Sequence, residues 1–196
     1  MRLHWYGSTN PQKVRLALEE LNLDYELISL DLVKGAHKQA DYLALHPRGK
    51  APALEIDGGV CWESNAAIEY LAMREGRLWP SEPKALTEAL SLMHMESSAF
   101  QDLAGVYYFN RVVLPQVGRE GDPERVAKAA KKLNKLLTVL EDRLEGGDYL
   151  LGDFSLVDCA YAPWLPVLDL EGHPNVLAWR ARLMARTSWA ACEFSY

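Results

Sequence analysis

Cysteine is scarce in this chain of 196 residues. The three cysteines, Cys61, Cys159 and Cys192, lie far apart in the sequence. This spacing excludes a Cys-x-x-Cys redox or zinc motif and argues against a disulfide framework. The histidines show no spacing typical of metal ligands. We therefore expect a protein of the reducing cytoplasm that has no metal site.

Long basic runs and long apolar runs are also absent. The net charge is −6, and phosphate binding needs clustered lysine and arginine, so nucleic acid is not an expected partner. No apolar stretch approaches the ~20 residues of a membrane span, so no membrane partner is expected. Residues Met1–Tyr6 show no signal-peptide pattern. Apolar residues make up 49% of the chain, which is typical of a globular protein with one large or two small domains.

The first half alternates between strand and helix patterns. Pro11 opens the first helix, and Asp57-Gly58-Gly59 is typical of a hairpin turn. The strand predicted at 25–32 has apolar residues on both sides, which suits burial on both faces. Ser64 is predicted as the N-cap of a helix that ends near Gly76. The predicted order is β-α-β-α-β-β-α, with strands at 3–6, 25–32, 51–56 and 60–62 and a short helix at 40–45.

The composition changes after this unit. Trp79-Pro80-Ser81-Glu82-Pro83 carries two prolines in five residues and is a plausible linker. The rest has helical periodicity, with helices predicted at 85–113, 123–144, 155–169 and 174–188. The predicted fold class is α/β followed by all-α. Its parts are a domain at 1–77, a linker at 78–84 and a helical domain at 85–196.

One local signature in the second half is structural. Ser155 and Asp158 stand three residues apart, which is typical of an Asp variant of the capping box at a helix start. Phe154 and Cys159 are placed to form the accompanying hydrophobic staple. We expect this pair to stabilise the helix and not to take part in chemistry.

Together these pieces resemble the soluble glutathione transferase superfamily over nearly the whole chain. The likeness depends on five motifs in order: Ser8-Thr9-Asn10, Gly35-Ala36-His37-Lys38, Gly49-Lys50-Ala51-Pro52, Glu63-Ser64 and the Ser155/Asp158 pair. The Ser8-x-Asn10 spacing resembles the serine-type enzymes (theta- and phi-like, with bacterial relatives). Tyr6 lies near the position where tyrosine-type enzymes carry their catalytic tyrosine. The resemblance implies a thioredoxin-like first domain, an all-helical second domain and glutathione as co-substrate.

The resemblance also implies how glutathione is held. The Ala51-Pro52 bond would be cis, and Ala51 would pair its backbone with the cysteinyl part of the ligand. Ser64 would bind the γ-glutamyl carboxylate at a helix N-terminus, where free N–H groups favour anions. Glu63 would face the ligand ammonium. The alternatives are that Pro52 only starts an edge strand and that Ser64 only caps its helix.

The same family pattern places cations near the glycyl carboxylate of glutathione. These are His37, Lys38 and Lys50, with Arg48 equally consistent with a solvated surface residue. Scattered surface charge remains the alternative for each of them.

Ser8 would be the residue that donates to the glutathione sulfur. A free thiol titrates near ~8.5, and lowering its pKa by ~2 units requires ~2.7 kcal/mol of preference for the anion. One charge-assisted hydrogen bond supplies ~1.5–3 kcal/mol, and a helix N-terminus adds up to ~1 kcal/mol. Asn10 would donate as well or hold the Ser8 rotamer, and Thr9 is a lesser candidate. The alternative is that Ser8 and Asn10 only cap the first helix.

The acceptor pocket is expected between the domains. The long helix that carries Phe100, Tyr107, Tyr108 and Arg111 would line it, with Trp164 nearby. A tyrosine hydroxyl or Arg111 would stabilise a developing anion there. Core packing is the alternative reading for aromatic residues at helical spacing.

Three functions fit this pattern. The first is conjugation of glutathione to a small hydrophobic electrophile, and the second is glutathione-dependent reduction of disulfides or peroxides. The third is a non-catalytic binding or interaction protein of the same fold. No cysteine stands in the turn before the first helix, so disulfide reduction would use two glutathione molecules. The resemblance also implies a two-fold homodimer.

Overall fold

The structure is a computed structural model that describes residues 1–192. The last four residues of the predicted helical domain, 193–196, lie outside the described residues. Four strands form a single sheet: β1 Arg2–Trp5, β2 Glu26–Ser29, β3 Ala53–Ile56 and β4 Gly59–Trp62. The helices of the first half are α1 Thr9–Glu20, a 3-10 turn Ala36–Lys38, α2 Ala40–Leu45 and α3 Ser64–Glu75. The predicted βαβαββα order is therefore confirmed.

The sheet has the order β2-β1-β3-β4. β1 pairs in parallel with β2 and antiparallel with β3, and β3 pairs antiparallel with β4 across the predicted hairpin. The expectation that β2 is buried on both faces is wrong, because β2 is an edge strand with both its terminal residues exposed. Leu27 of this strand is only partly buried, although it packs against the large core.

Helices cover both faces of this sheet. Leu3 and Leu54 pack with α1 and α3 in the large core, which runs on without interruption into the helical half. A smaller core on the other face joins Tyr42 of α2 to Leu30 and Ala53. This arrangement holds the first residues of α1 and of α3 at the same side of the molecule, where the candidate site lies.

The second half is helical, as predicted. Its elements are α4 Pro83–Met95, a π turn Glu96–Phe100, α5 Gln101–Tyr108, a π turn Phe109–Val113, α6 Leu114–Gln116, α7 Pro123–Arg143, α8 Leu156–Tyr161, a 3-10 segment Ala162–Val167, α9 Pro174–Met184 and α10 Thr187–Ala191. The segments from Pro83 to Gln116 follow one another without a break and form the long helix predicted at 85–113. α4 begins with Pro83, so the end of the predicted linker 78–84 is already helical.

The predicted single helix at 174–188 is wrong. α9 ends at Met184, and Arg186 adopts an extended conformation before α10 begins at Thr187. This break lets the guanidinium of Arg186 reach the carboxylate of Glu20 in α1, with an Nε–Oε1 distance of 2.5 Å. Within residues 1–192, no helix combines the length and apolar character needed to cross a bilayer.

The Ser155/Asp158 capping box is confirmed. The Asp158 carboxylate accepts the backbone N–H of Ser155 at 2.9 Å and the Ser155 hydroxyl at 3.0 Å. It also accepts the N–H of Leu150 and the indole N–H of Trp179. A single buried carboxylate thus joins the start of α8 to the preceding loop and to α9.

Candidate functional site

The hydroxyl of Ser8 is not used to cap α1. Ser8 occupies the N-cap position with an extended backbone, yet its side chain makes no capping hydrogen bond. Its backbone N–H donates to the carbonyl of Tyr6 at 2.6 Å and closes a tight turn between β1 and α1. The Ser8 side chain is half-buried at the end of the sheet. The alternative that Ser8 serves only as a helix cap is therefore not what the structure shows.

Asn10 and Ser64 connect two motifs that are far apart in the sequence. The Ser64 hydroxyl donates to Oδ1 of Asn10 at 3.4 Å, across the first turns of α3 and α1. Ser64 is buried, and Asn10 is half-buried with its amide nitrogen free of any partner among the described residues. Thr9 is buried, so its side chain does not share this opening. The structure therefore brings Ser8, Asn10 and Ser64 to one place.

The N-cap of α3 is Glu63 and not Ser64. The prediction is shifted by one residue because Glu63 has a positive φ of 86°, which turns the chain sharply into the helix. Neither residue makes a side-chain capping bond, so the first N–H groups of α3 remain available. Such a helix start favours a carboxylate ligand.

Glu63 is paired with a cation that the sequence left undecided. Nη1 of Arg48 lies 2.6 Å from Oε1 of Glu63, and both side chains are about half exposed. Arg48 is therefore paired with a residue that is predicted to face glutathione. Because the pair is exposed, solvent screens it and a ligand ammonium can compete for the Glu63 carboxylate.

The cis geometry expected at Ala51-Pro52 is confirmed. Ala51 lies half-buried directly before β3, and Lys50 beside it is exposed. The Lys50 carbonyl accepts the Tyr42 hydroxyl at 2.6 Å, which ties this segment to α2. The ammonium group of Lys50 remains exposed to solvent next to the candidate site.

The 3-10 turn packs its cations against the same segment. Nζ of Lys38 donates to the carbonyl of Gly49 at 3.3 Å. Gly49 has a positive φ of 55°, and a Cβ there would stand 2.6 Å from the carbonyl oxygen of His37. Nδ1 of His37 is buried without a hydrogen-bond partner. His37 and Lys38 therefore lie against Gly49, next to Lys50 in the sequence, and only glycine permits this close approach.

His46 also belongs to this cluster, although its sequence context gave no sign of it. Its Nδ1 accepts the backbone N–H of Arg48 at 3.3 Å and shapes the turn that carries Arg48. Burial lowers the pKa of His46, with Glu63 acting in the opposite direction and Arg48 and Lys50 lowering it further. The ring is therefore held neutral within a cluster of formal charges.

The residues predicted for the acceptor pocket are divided between three places. The Tyr108 hydroxyl donates to the carbonyl of Gly7 at 3.4 Å, so it lies beside the turn that carries Ser8. Burial raises the pKa of Tyr108, and nearby Tyr6 raises it further. Phe100, by contrast, is in the core with its ring centroid 5.0 Å from that of Tyr161. Tyr107 and Arg111 line a hollow formed only by the helical domain.

A buried charged network lies beneath the site. Nζ of Lys13 is 2.6 Å from Oε1 of Glu96, and both side chains are 0% exposed. The same carboxylate accepts the indole N–H of Trp164 at 2.7 Å and the amide of Asn65 at 2.8 Å. Burial lowers the pKa of Lys13, and Glu96 opposes that shift.

This network joins the two halves of the chain next to the ligand-facing residues. Lys13 is one helical turn after Asn10, and Asn65 directly follows Ser64. Glu96 lies on the π turn after α4. The sequence analysis did not predict this network, because Lys13 resembles the many surface charges found on helices. The available signal was its position among Val14, Ala17 and other apolar residues.

The described residues also contain no group of three or more histidine, cysteine or acidic side chains arranged to hold a metal ion.

Comparison with known proteins shows the family to which this chain belongs. The sequence matches the description "Glutathione S-transferase, N-terminal domain" over residues 2–73 and "Glutathione S-transferase, C-terminal domain" over residues 123–182. The chain belongs to the glutathione S-transferase family. A glutathione S-transferase of Hyoscyamus muticus is 32% identical over 97% of this chain and 96% of its own length.

Solved glutathione transferases share the whole fold. A crystal structure from Populus trichocarpa superposes with a TM-score of 0.88 at 28% identity, covering 97% of this chain and 96% of the other. A glutathione transferase of Phanerochaete chrysosporium, solved with oxidized glutathione, gives a TM-score of 0.84 at 28% identity and covers 97% and 93% of the two chains. The predicted fold class, a thioredoxin-like domain followed by a helical glutathione transferase domain, is thereby confirmed.

Proposed function

We propose that this glutathione S-transferase family member conjugates glutathione to small hydrophobic electrophiles. The observation that carries the proposal is the meeting of two helix starts, where the Ser64 hydroxyl lies 3.4 Å from Asn10 Oδ1. The N-terminus of α3 suits an anion, and the uncommitted Ser8 hydroxyl suits a thiolate. The relatives named glutathione S-transferases and the structure solved with oxidized glutathione support glutathione as the co-substrate.

The groups around the opening match the parts of glutathione. Ser64 and the free N–H groups of α3 take the γ-glutamyl carboxylate, and Glu63 takes the ammonium. Ala51 offers its backbone to the cysteinyl residue. The glycyl carboxylate lies toward His37 and Lys38 of the 3-10 turn and toward Lys50, which precedes Ala51.

Ser8 activates the thiol by hydrogen bonding to its anionic form. The serine oxygen remains intact and is not the nucleophile. The glutathione thiolate attacks the electrophilic carbon, a carbon–sulfur bond forms, and a leaving group such as halide departs with its electron pair. The thiol proton passes to solvent. Asn10, whose amide nitrogen is unpaired in the described residues, adds a second donor or fixes the Ser8 side chain.

The acceptor electrophile approaches from the side of Tyr108. Its hydroxyl already contacts Gly7, next to Ser8, and its ring stands edge-on to Trp164 with centroids 6.5 Å apart. Burial raises the pKa of Tyr108, which keeps the hydroxyl protonated and able to donate to a developing anion.

Two assays separate the proposed function from its alternatives. Glutathione binding is measured first by calorimetry, and its absence would remove both enzymatic readings. The protein is then given chlorodinitrobenzene with glutathione, and in parallel the mixed disulfide of hydroxyethanethiol with glutathione. Conjugation faster than reduction supports the transferase. Reduction alone supports the oxidoreductase, and binding without either reaction supports a carrier.

A homodimer and a cytoplasmic location belong to the same proposal. Glu69 of α3 is electrostatically coupled to Cys61 of β4 and His94 of α4, so these elements share one face. Met73 and Leu90, one turn away on the same helices, are 70% and 36% exposed. This apolar face supports pairing of α3 of one subunit with α4 of another. The cytoplasmic location is supported by the three cysteines, which are free thiols.

Light scattering tests the dimer. Met73→Glu should halve the measured mass because it places a charge in the interface, whereas the matched variant Met184→Glu changes another exposed methionine and should leave the mass unchanged. A wild-type mass equal to one chain would contradict the proposal.

A further inference from the structure

A large hollow lies outside the candidate glutathione site. It has a volume of about 650 Å³, is open to solvent, and is lined by α5, the π turn after it, the loop before α7 and the first turns of α7. Asp169, from the loop after the 3-10 segment, completes the wall. All of its lining residues come from positions 107–169, and none belongs to the glutathione cluster. Its size is within the ~300–1,000 Å³ typical of small-molecule sites.

The wall of this hollow includes a tyrosine whose hydroxyl makes no hydrogen bond to the described protein. Tyr107 is only 2% exposed and lines the hollow. Its hydroxyl has no hydrogen-bond partner within residues 1–192. Burial raises its pKa, which Arg111 lowers and Asp169 raises, so the hydroxyl lies near both charged groups of the wall. The hydroxyl keeps contact with solvent although most of the residue is buried, so it can form a hydrogen bond to a ligand.

The wall also carries charges of both signs that do not neutralise each other. The Arg111 guanidinium stacks on the Tyr107 ring, 4.7 Å from its centroid, and donates one N–H to the carbonyl of Val167. Its other N–H groups are unused in the described chain. Asp169 and Glu120 line the same hollow. Neither they nor Arg111 form an ion pair with any described residue.

The remaining wall is apolar. Pro123, Val126, Ala127 and Ala130 present one face of α7 to the hollow. A second hollow of about 270 Å³ shares Tyr107, Ala130 and Asp169 with the first and continues along α7 past Leu133 and Leu137. The surface of the two hollows is therefore amphipathic. Charged groups lie at one end of it, and small apolar residues of α7 line the rest.

We propose that this hollow is a second ligand site, for a zwitterion with an apolar body of the size and kind of an aromatic amino acid. The ligand ammonium lies against Asp169 and Glu120, its carboxylate against Arg111 and the Tyr107 hydroxyl, and its side chain along α7. A purely cationic ligand would leave Arg111 uncompensated, and a purely anionic one would leave both carboxylates uncompensated. The proposal is independent of glutathione binding and of the conjugation reaction.

Three probes with one ring system test the charge requirement. L-tryptophan, tryptamine and indole-3-propionate are each titrated into the protein by equilibrium dialysis, with and without saturating glutathione. Tryptophan should bind about tenfold more tightly than either analogue, because each analogue lacks one charge-assisted contact. Glutathione should not displace it. Tighter binding of tryptamine or indole-3-propionate, displacement by glutathione, or no binding of tryptophan would each overturn the proposal.

Variants place the bound probe in the hollow. Arg111→Gln and Asp169→Asn should each weaken tryptophan binding about tenfold, while Ala127→Trp should abolish it by filling the space. Ala127 is exposed on α7, so the larger side chain does not disturb the core. Arg119→Gln and Asp57→Asn remove similar exposed charges elsewhere and should leave binding unchanged. Equal effects of the site variants and these controls would refute the site, provided that all variants bind glutathione normally.

Discussion

At the scale of single residues, the informative feature of Ser8 is a hydrogen bond that it does not make. Serine at a helix start ordinarily accepts from the amides of the first turn. Here its side chain forms no such bond, although its backbone has the extended N-cap conformation. A free hydroxyl next to the positive end of α1 is suited to donate to an anion. The candidate role of Ser8 was predictable from its spacing to Asn10, whereas its freedom required the structure.

Glu63 carries the first prediction. Glu63→Gln removes the charge that faces the ligand ammonium, so the KM for glutathione should rise about tenfold while kcat changes less, because a hydrogen bond to a charged group contributes about 1.5–3 kcal/mol. Steady-state kinetics with varied glutathione measures both constants. The control is Glu145→Gln, which changes an exposed loop residue. An unchanged KM would show that Glu63 serves only Arg48.

At the scale of elements, the sequence predicted those with strong local signals. The short helix Ala40–Leu45 has the predicted bounds, and the capping box at Ser155 begins α8. The edge position of β2 was not predictable, because the apolar pattern of a strand indicates which of its faces are covered and not how many strands pair with its backbone. The break at Arg186 likewise depends on Glu20, which is distant in the sequence. The spacing of Phe154 and Cys159 predicted a hydrophobic staple at the start of α8. Both residues line one small cavity.

The capping carboxylate of α8 gives a stability prediction. The Asp158 carboxylate accepts four hydrogen bonds. In Asp158→Asn one carboxylate oxygen becomes an NH2 group, which cannot accept and instead faces other donors. We expect the free energy of unfolding to fall by about 2–4 kcal/mol, because buried donors lose their acceptor. Denaturant titration measures it. Asp57→Asn, in the hairpin turn, is the matched control, and an equal effect of both would contradict this role for Asp158.

The same group predicts a pH dependence. Burial raises the pKa of Asp158 to about 6, although its four donors act in the opposite direction. The folded state therefore binds this proton more tightly than the unfolded state, whose Asp titrates near ~3.9. Stability contributed by Asp158 should fall as the pH rises from about 4 to about 6, because the folded state holds more protons in that window.

The difference in unfolding free energy between wild type and Asp158→Asn, measured across this pH range, isolates the effect. A wild-type advantage that grows with pH would contradict the raised pKa, since it would mean that the folded state favours the ionised carboxylate.

At the scale of the whole molecule, the two domains are joined by a buried charge pair rather than by apolar packing alone. Lys13 and Glu96 are 83 residues apart and both fully buried. The local sequence around Lys13 and Glu96 does not indicate that these two residues pair, so this contact could not be predicted. Glu96 contacts Lys13 of α1 and Asn65 of α3, so it links the long helix to the first turns of both helices.

Breaking this pair should therefore cost more than breaking a surface pair. Lys13→Met alone leaves the Glu96 charge buried and should lower the free energy of unfolding by about 3–5 kcal/mol, whereas Lys13→Met combined with Glu96→Leu should cost less, because no unpaired charge remains. Denaturant unfolding of the single and double variants measures both values. A double variant less stable than the single would contradict the prediction, and Lys128→Met, whose ion pair with Glu124 is exposed, is the surface control.

The central claim is that Ser8 lowers the pKa of bound glutathione by donating a hydrogen bond to its thiolate. The direct measurement is the pKa of the bound thiol, followed by thiolate absorbance during a pH titration of the glutathione complex. The wild-type complex should titrate ~1–2 units below free glutathione, Ser8→Thr should retain most of this shift, and Ser8→Ala should lose it, since one charge-assisted hydrogen bond is equivalent to about 1–2 pKa units. If glutathione binds to Ser8→Ala with the same thiol pKa as in the wild type, the claim is wrong.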